Sequence, residues 1–225
     1  MVSSVVVSSV VVSSVVRTSA QPSRTRDLVE LVLGYGAIVG VIWTPEHLQR
    51  FLSPVVLVLT LWVVLARRPS RDALGVGTRG LVRSLWILPA AVVLALVSVF
   101  VAAKIGTLHS LYKADFPHIA GYVLWTIYQQ FLLQDYFMDR LLRLGFNKTA
   151  AVTFAGMLFA LAHLPNLALT VATLVWGIVS CALFQRYRNL WVLGLAQGLL
   201  GLCFAICVPD ALHHHLRVGL GYLRY

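Results

Sequence analysis

The stretch Leu85-Trp-Ile-Leu-Pro-Ala-Ala-Val-Val-Leu-Ala-Leu-Val-Ser-Val-Phe-Val-Ala-Ala103 decides the fold class. It carries nineteen residues without one charge. A helix needs about 20 mostly apolar residues to cross a bilayer. Working outward, six more apolar segments appear: Leu28–Trp43, Phe51–Leu65, Phe116–Phe137, Thr149–Leu164, Leu167–Leu183 and Leu190–Val208. The pattern predicts an all-α fold, a polytopic membrane helix bundle of about seven transmembrane helices. Composition agrees. The 225 residues are 59% hydrophobic and 12% charged, with mean hydropathy +0.84. Soluble domains are about 25% charged, so too few charges remain to cover a water-facing surface of this size. That excludes a disordered chain, a coiled coil and an ordinary soluble enzyme.

The net charge of +10 reads as topology. With the N-terminus inside, inner segments hold Arg17, Arg24, Arg26, Arg67, Arg68, Arg71, Arg79, Arg83, Arg140, Arg143, Lys148, Arg186 and Arg188. Outer segments hold only Arg50, Lys104, Lys113, Arg217 and Arg224. Cytoplasmic loops gather Lys and Arg in this way. No basic face with interleaved exposed aromatics points to nucleic acid. The lipid bilayer is the expected partner instead. Residues 1–26 open with MVSSVVVSSVVVSSVV, a low-complexity run expected to be disordered. Residues 27–225 read as a single integral-membrane domain.

Polar groups are costly in hydrocarbon, so those inside spans are candidates for function. The fourth span contains Gln129, Gln130, Gln134 and Asp135. Gln130 and Gln134 share a helix face, while Gln129 diverges from Gln130 by about 100°. Hydrogen bonding between helices is the plainer reading of such groups. His163 ends the fifth span, where Pro165 stops the helix and Asn166 can cap the next. Gln197 lies on the seventh span among Gly194, Gly198 and Gly201, which suit close helix packing. Cys181, Cys203 and Cys207 sit in apolar runs and read as small hydrophobes. The triplet His213-His214-His215 reads as an exposed polar tail or an interfacial anchor. No metal and no other cofactor is expected.

The run Gln129–Gly201 resembles the CAAX-protease and bacteriocin-processing (CPBP) family of membrane proteases, relatives of the type II CAAX prenyl endopeptidase. That family carries Glu-Glu-x-x-x-Arg, then Phe-x-x-x-His, then His-x-x-x-Asn. Phe159-Ala-Leu-Ala-His163 matches the second signature in full. The Glu pair falls on Gln129-Gln130, the Arg on Gln134, the second His on Gln197 and the Asn on Gly201. Trp176-Gly177 through Trp191 also resembles the family's link between its signatures, and the likeness spans residues 116–206.

The resemblance implies an intramembrane endopeptidase that hydrolyses membrane-associated peptides or proteins. Its expected location is a bacterial-type cytoplasmic membrane. In the family, a Glu and a His activate water, while the second His and the Asn stabilise the oxyanion. Here a glutamine amide cannot accept the proton. The expected catalytic set is therefore altered: His163 with Gln129, Gln130 and Gln197, supported by Gln134, Phe159, Asn166 and Gly201. The alternative is an inactive member that binds a membrane segment or partner in the inherited cavity.

Overall fold

In a computed structural model, which describes residues 24–224, the chain is helical throughout its ordered elements. The helices run α1 (Arg24–Ile42), α2 (Glu46–Leu65), the single turn α3 (Leu81–Ser84), α4 (Ile87–Ile105) and α5 (Phe116–Phe131). α5 continues through a π-helical segment, Leu132–Met138, into α6 (Asp139–Arg143). Then follow α7 (Lys148–Leu161), α8 (Leu167–Tyr187), α9 (Leu190–Cys207) and the short α10 (Asp210–His213) and α11 (Gly219–Leu223).

Each predicted apolar segment falls on one of these helices. By length and composition, four stretches among the described residues can cross a membrane: Glu46–Leu65, Leu81–Ile105, Leu167–Tyr187 and Leu190–Cys207. The chain is thus an integral membrane protein. The other three candidates are less clear-cut. α1 carries Arg24, Arg26, Asp27 and Glu30 in its first two turns, the 116–143 run is interrupted by its π segment, and α7 has 14 residues. α1 starts at Arg24, three residues ahead of the boundary expected from the sequence, and Arg26 bonds Glu30 one turn on. The rest of the low-complexity run lies outside the described residues.

Caps fix the helix starts. Asp115, Asn147, Asn166 and Asn189 each accept a bond from the backbone N–H three residues on, which satisfies an orphan donor. Small residues set the closest helix crossings. Gly156 of α7 meets Gly177 and Ile178 of α8, where an added Cβ would lie 3.1 Å from the Ile178 nitrogen. Gly194 and Gly198 of α9 lie against Ile127, Val123 and Thr126 of α5. Thr126 also donates to the Gly194 carbonyl at 2.9 Å. The packing face expected from the three glycines of α9 is therefore the α5 contact.

The end of the bundle that carries the start of α1 is held by ions. The Glu30 carboxylate accepts from Arg67 at 2.6 Å and from Arg140 at 2.9 and 3.1 Å, and Arg67 also pairs with Asp27. Arg140 is completely buried and lies over the Tyr136 ring at 3.7 Å. Its remaining nitrogen donates to the carbonyls of Asp135 and Tyr136 in the π segment. Arg67 and Arg140 are thus internal ties, although their positions in the sequence read as loop charge.

The opposite end is closed by the C-terminal residues, which corrects the reading of the His triplet as an exposed tail. His213 is buried, because α10 folds back over the end of α9. The Val208 carbonyl accepts from the rings of both His213 and His109 at 2.9 Å. Hydrogen bonds to the Val208 and Ser110 carbonyls push the His109 pKa up, and burial pushes that of His213 down.

Candidate active site

A chamber of about 920 Å³ opens between α2, α5, α8 and α9. Its walls are largely apolar, and among its described lining residues there is no Asp, Glu, Lys or Arg. Gln129, Phe159, His163, Trp176, Gln197 and Gly201 all reach it. α7 ends at Leu161, and His163 stands in the turn beyond it, on the same chamber as Gln197.

The four glutamines form one chain of hydrogen bonds. Gln134 Nε2 donates to Gln130 Oε1 at 3.0 Å, and Gln130 Nε2 donates to Gln197 Oε1 at 2.6 Å. Gln197 Nε2 then donates to Gln129 Oε1 at 2.6 Å. The Trp176 indole N–H adds a second bond to Gln197 Oε1 at 3.0 Å. Gln130 and Gln134 are buried behind the chamber, while Gln129 and Gln197 line it. The pairing of α5 with α9 makes this possible, since Gly194 and Gly198 let the two backbones approach.

His163 is oriented from below. Its Nδ1 sits 2.7 Å from the Phe159 carbonyl oxygen, and the Phe159 ring meets it edge-on at 4.9 Å. A carbonyl only accepts, so Nδ1 carries the proton and the neutral ring keeps Nε2 free as an acceptor. The four-residue spacing of Phe159 and His163 thus has a physical role: one turn separates the acceptor from the ring it fixes.

Asn166 is fully buried but does not reach the chamber. Its side chain caps α8 and donates to the carbonyls of His213 and Arg217 at 2.9 and 3.0 Å. Gly219 N donates to the Leu164 carbonyl at 2.9 Å. The turn carrying His163 is therefore strapped to the C-terminal segment, a tie without a local sequence signal. Trp176 is the other contributor that sequence reasoning passed over as part of a linking stretch. Asp135 lies apart, in a second pocket of about 70 Å³ with Arg67, Asp139, Arg140, Arg143 and Arg188. Among the described residues, no three His, Cys, Asp or Glu side chains converge as metal ligands would.

Gly201 is filled from across the interface. A Cβ there would overlap the Tyr122 hydroxyl and lie 3.0 Å from its ring. Gly201→Asn is thus expected to cost about 1–3 kcal/mol by overpacking. Tyr122→Ala should recover part of that loss in the double variant, because the two side chains compete for one space. Thermal unfolding of both singles and the double in detergent measures this. Strictly additive losses would rule out the shared space.

Taken together, the fold and chamber describe a helical membrane protein holding a buried polar chain against a large apolar cavity. Residues 116–203 match the family model of the type II CAAX prenyl endopeptidase Rce1-like proteins. Over that segment the chain is similar to the CAAX-protease and bacteriocin-processing family. No curated protein and no solved structure matches it.

Proposed function

We propose that the protein is an intramembrane endopeptidase with an altered centre, acting on membrane-associated peptides or proteins from a cytoplasmic membrane with its N-terminus inside. The observation that carries this reading is the meeting of His163, Gln129 and Gln197 on one chamber within the family segment. His163 Nε2 takes a proton from water as the water attacks the scissile carbonyl. The amide N–H groups of Gln197 and Gln129 face the developing oxyanion. The protonated His163 then gives its proton to the leaving amine.

A second reading is favoured by one observation, the lack of any carboxylate on the chamber wall among the described residues. In that reading the chamber binds a membrane segment without cutting it.

Cleavage assays in reconstituted vesicles separate the two. Wild type is expected to cut a membrane-anchored peptide library, and His163→Ala is expected to lose about 100-fold or more. Equal cleavage by the two sinks the hydrolytic mechanism. Retention of uncut peptide by both favours the binding reading.

A carboxylate can also be restored. Since Gln129 lines the chamber and Gln130 lies buried behind it, Gln129→Glu is expected to raise hydrolysis and Gln130→Glu is not. At 129 the carboxylate keeps the bond from Gln197 Nε2 and gives up the Gln129 N–H donor, so the gain expected is that of a base beside the substrate, with Gln197 left as the oxyanion donor.

A further inference from the structure

The amide chain has a direction, and a direction needs a cause. A glutamine side chain can turn over, exchanging its oxygen and nitrogen with little change in shape. Four linked glutamines can therefore run either way, Gln134 to Gln129 or the reverse. In one direction Gln197 Oε1 takes the bond from Gln130, and its NH2 is left for Gln129 and the chamber. In the other, Gln197 Nε2 turns to Gln130 and a carbonyl oxygen is left in its place. The first presents donors to a substrate carbonyl, and the second presents acceptors that repel an oxyanion.

Trp176 breaks the symmetry. Its indole nitrogen only donates, and it reaches Gln197 at 3.0 Å from α8. Reversing the amide would set an NH2 against an indole N–H, losing one bond and placing two donors head to head. A donor shielded from water and left unmatched is penalised, and this favours the observed orientation. The consequence passes along the chain. Gln129 Oε1 is occupied by Gln197 Nε2 at 2.6 Å, so Gln129 also keeps its NH2 as a free donor.

We infer that Trp176 is a positioning residue that sets the hydrogen-bond polarity of the glutamine chain, so that Gln197 and Gln129 offer donors to a substrate's carbonyl or carboxylate oxygen. The hydrogen-bond polarity stands on geometry alone. Its kinetic effect rests on the endopeptidase reading.

The decisive variant replaces Trp176 with β-(3-benzothienyl)alanine, which keeps the shape of the ring and swaps the N–H for sulfur. With the donor gone, the two directions become comparable and the productive one is populated about half the time, so kcat in the vesicle assay is expected to fall about twofold. KM and the thermal midpoint should stay as in wild type, because packing is kept. Full kcat in this variant overturns the inference.

If wild type cuts nothing, the endopeptidase reading fails and the polarity is judged by NMR. The Trp176 indole N–H resonance, assigned by its loss in Trp176→Phe, should move upfield in Gln197→Leu and in the milder Gln197→Met. It should stay downfield in Gln197→Glu, which keeps the acceptor. An indole resonance that ignores both apolar replacements overturns the inference whatever the assay shows.

Discussion

Replacing Glu30 with leucine is expected to cost about 3–5 kcal/mol of stability, measured by unfolding in mixed micelles. The loss should exceed that of Arg140→Leu. The reason lies in what each variant leaves behind. Without Glu30, Arg140 is a fully buried cation with no carboxylate in its bonds, only the carbonyls of Asp135 and Tyr136. Without Arg140, Glu30 still pairs with Arg67 and Arg26. A buried charge is costly mainly when its partner is removed, and replacing both partners by apolar groups is often neutral. The double variant Glu30→Leu/Arg140→Leu should therefore lose less than Glu30→Leu alone. If Arg140→Leu proves the more damaging single change, the stabilising role assigned to this pair is wrong.

The second large effect concerns Gly156. Gly156→Val should separate α7 from α8, because its Cβ would press on the backbone and side chain of Ile178. Backbone does not yield as a flexible side-chain end does, so overpacking of about 1–3 kcal/mol is expected. The functional loss should be larger than the stability loss. α7 leads into His163 and α8 carries Trp176, so widening this crossing moves His163 relative to the amide chain. A displacement near 1 Å can cost about 100-fold in rate. Cleavage and thermal unfolding measured on the same preparation test this. A variant that unfolds earlier but cleaves as wild type would show that the crossing does not set the site.

Much of the fold was legible in the sequence because its signals are local. An uncharged run such as Leu85–Ala103 declares a helix, and Asn166 after Pro165 declares a helix start. The candidate residues were legible through spacing, since Phe159 and His163 stand one turn apart. Other features were not. Nothing in the sequence shows that Arg140 points inward to Glu30, 110 positions away. Nothing shows that Gln130 turns into the bundle while its neighbour Gln129 faces a chamber. That choice depends on how α5 is rotated against α9, which glycines and Thr126 decide jointly. The C-terminal residues were the hardest to read. Three adjacent histidines look like a solvated tail until the Val208 carbonyl and Asn166 are seen to hold them down.

The strap between Asn166 and the carbonyls of His213 and Arg217 also bears on how the protein is made. Synthesis delivers α7 and the His163 turn before α8, α9 and the residues that fasten them. During insertion, then, the helices can enter the bilayer and pair while the turn beside the chamber is still unfastened. The site acquires its final shape only when the residues after α9 emerge and fold back. The fastening of the His163 turn is in this way tied to the last residues of the chain to be made, not to its own helix.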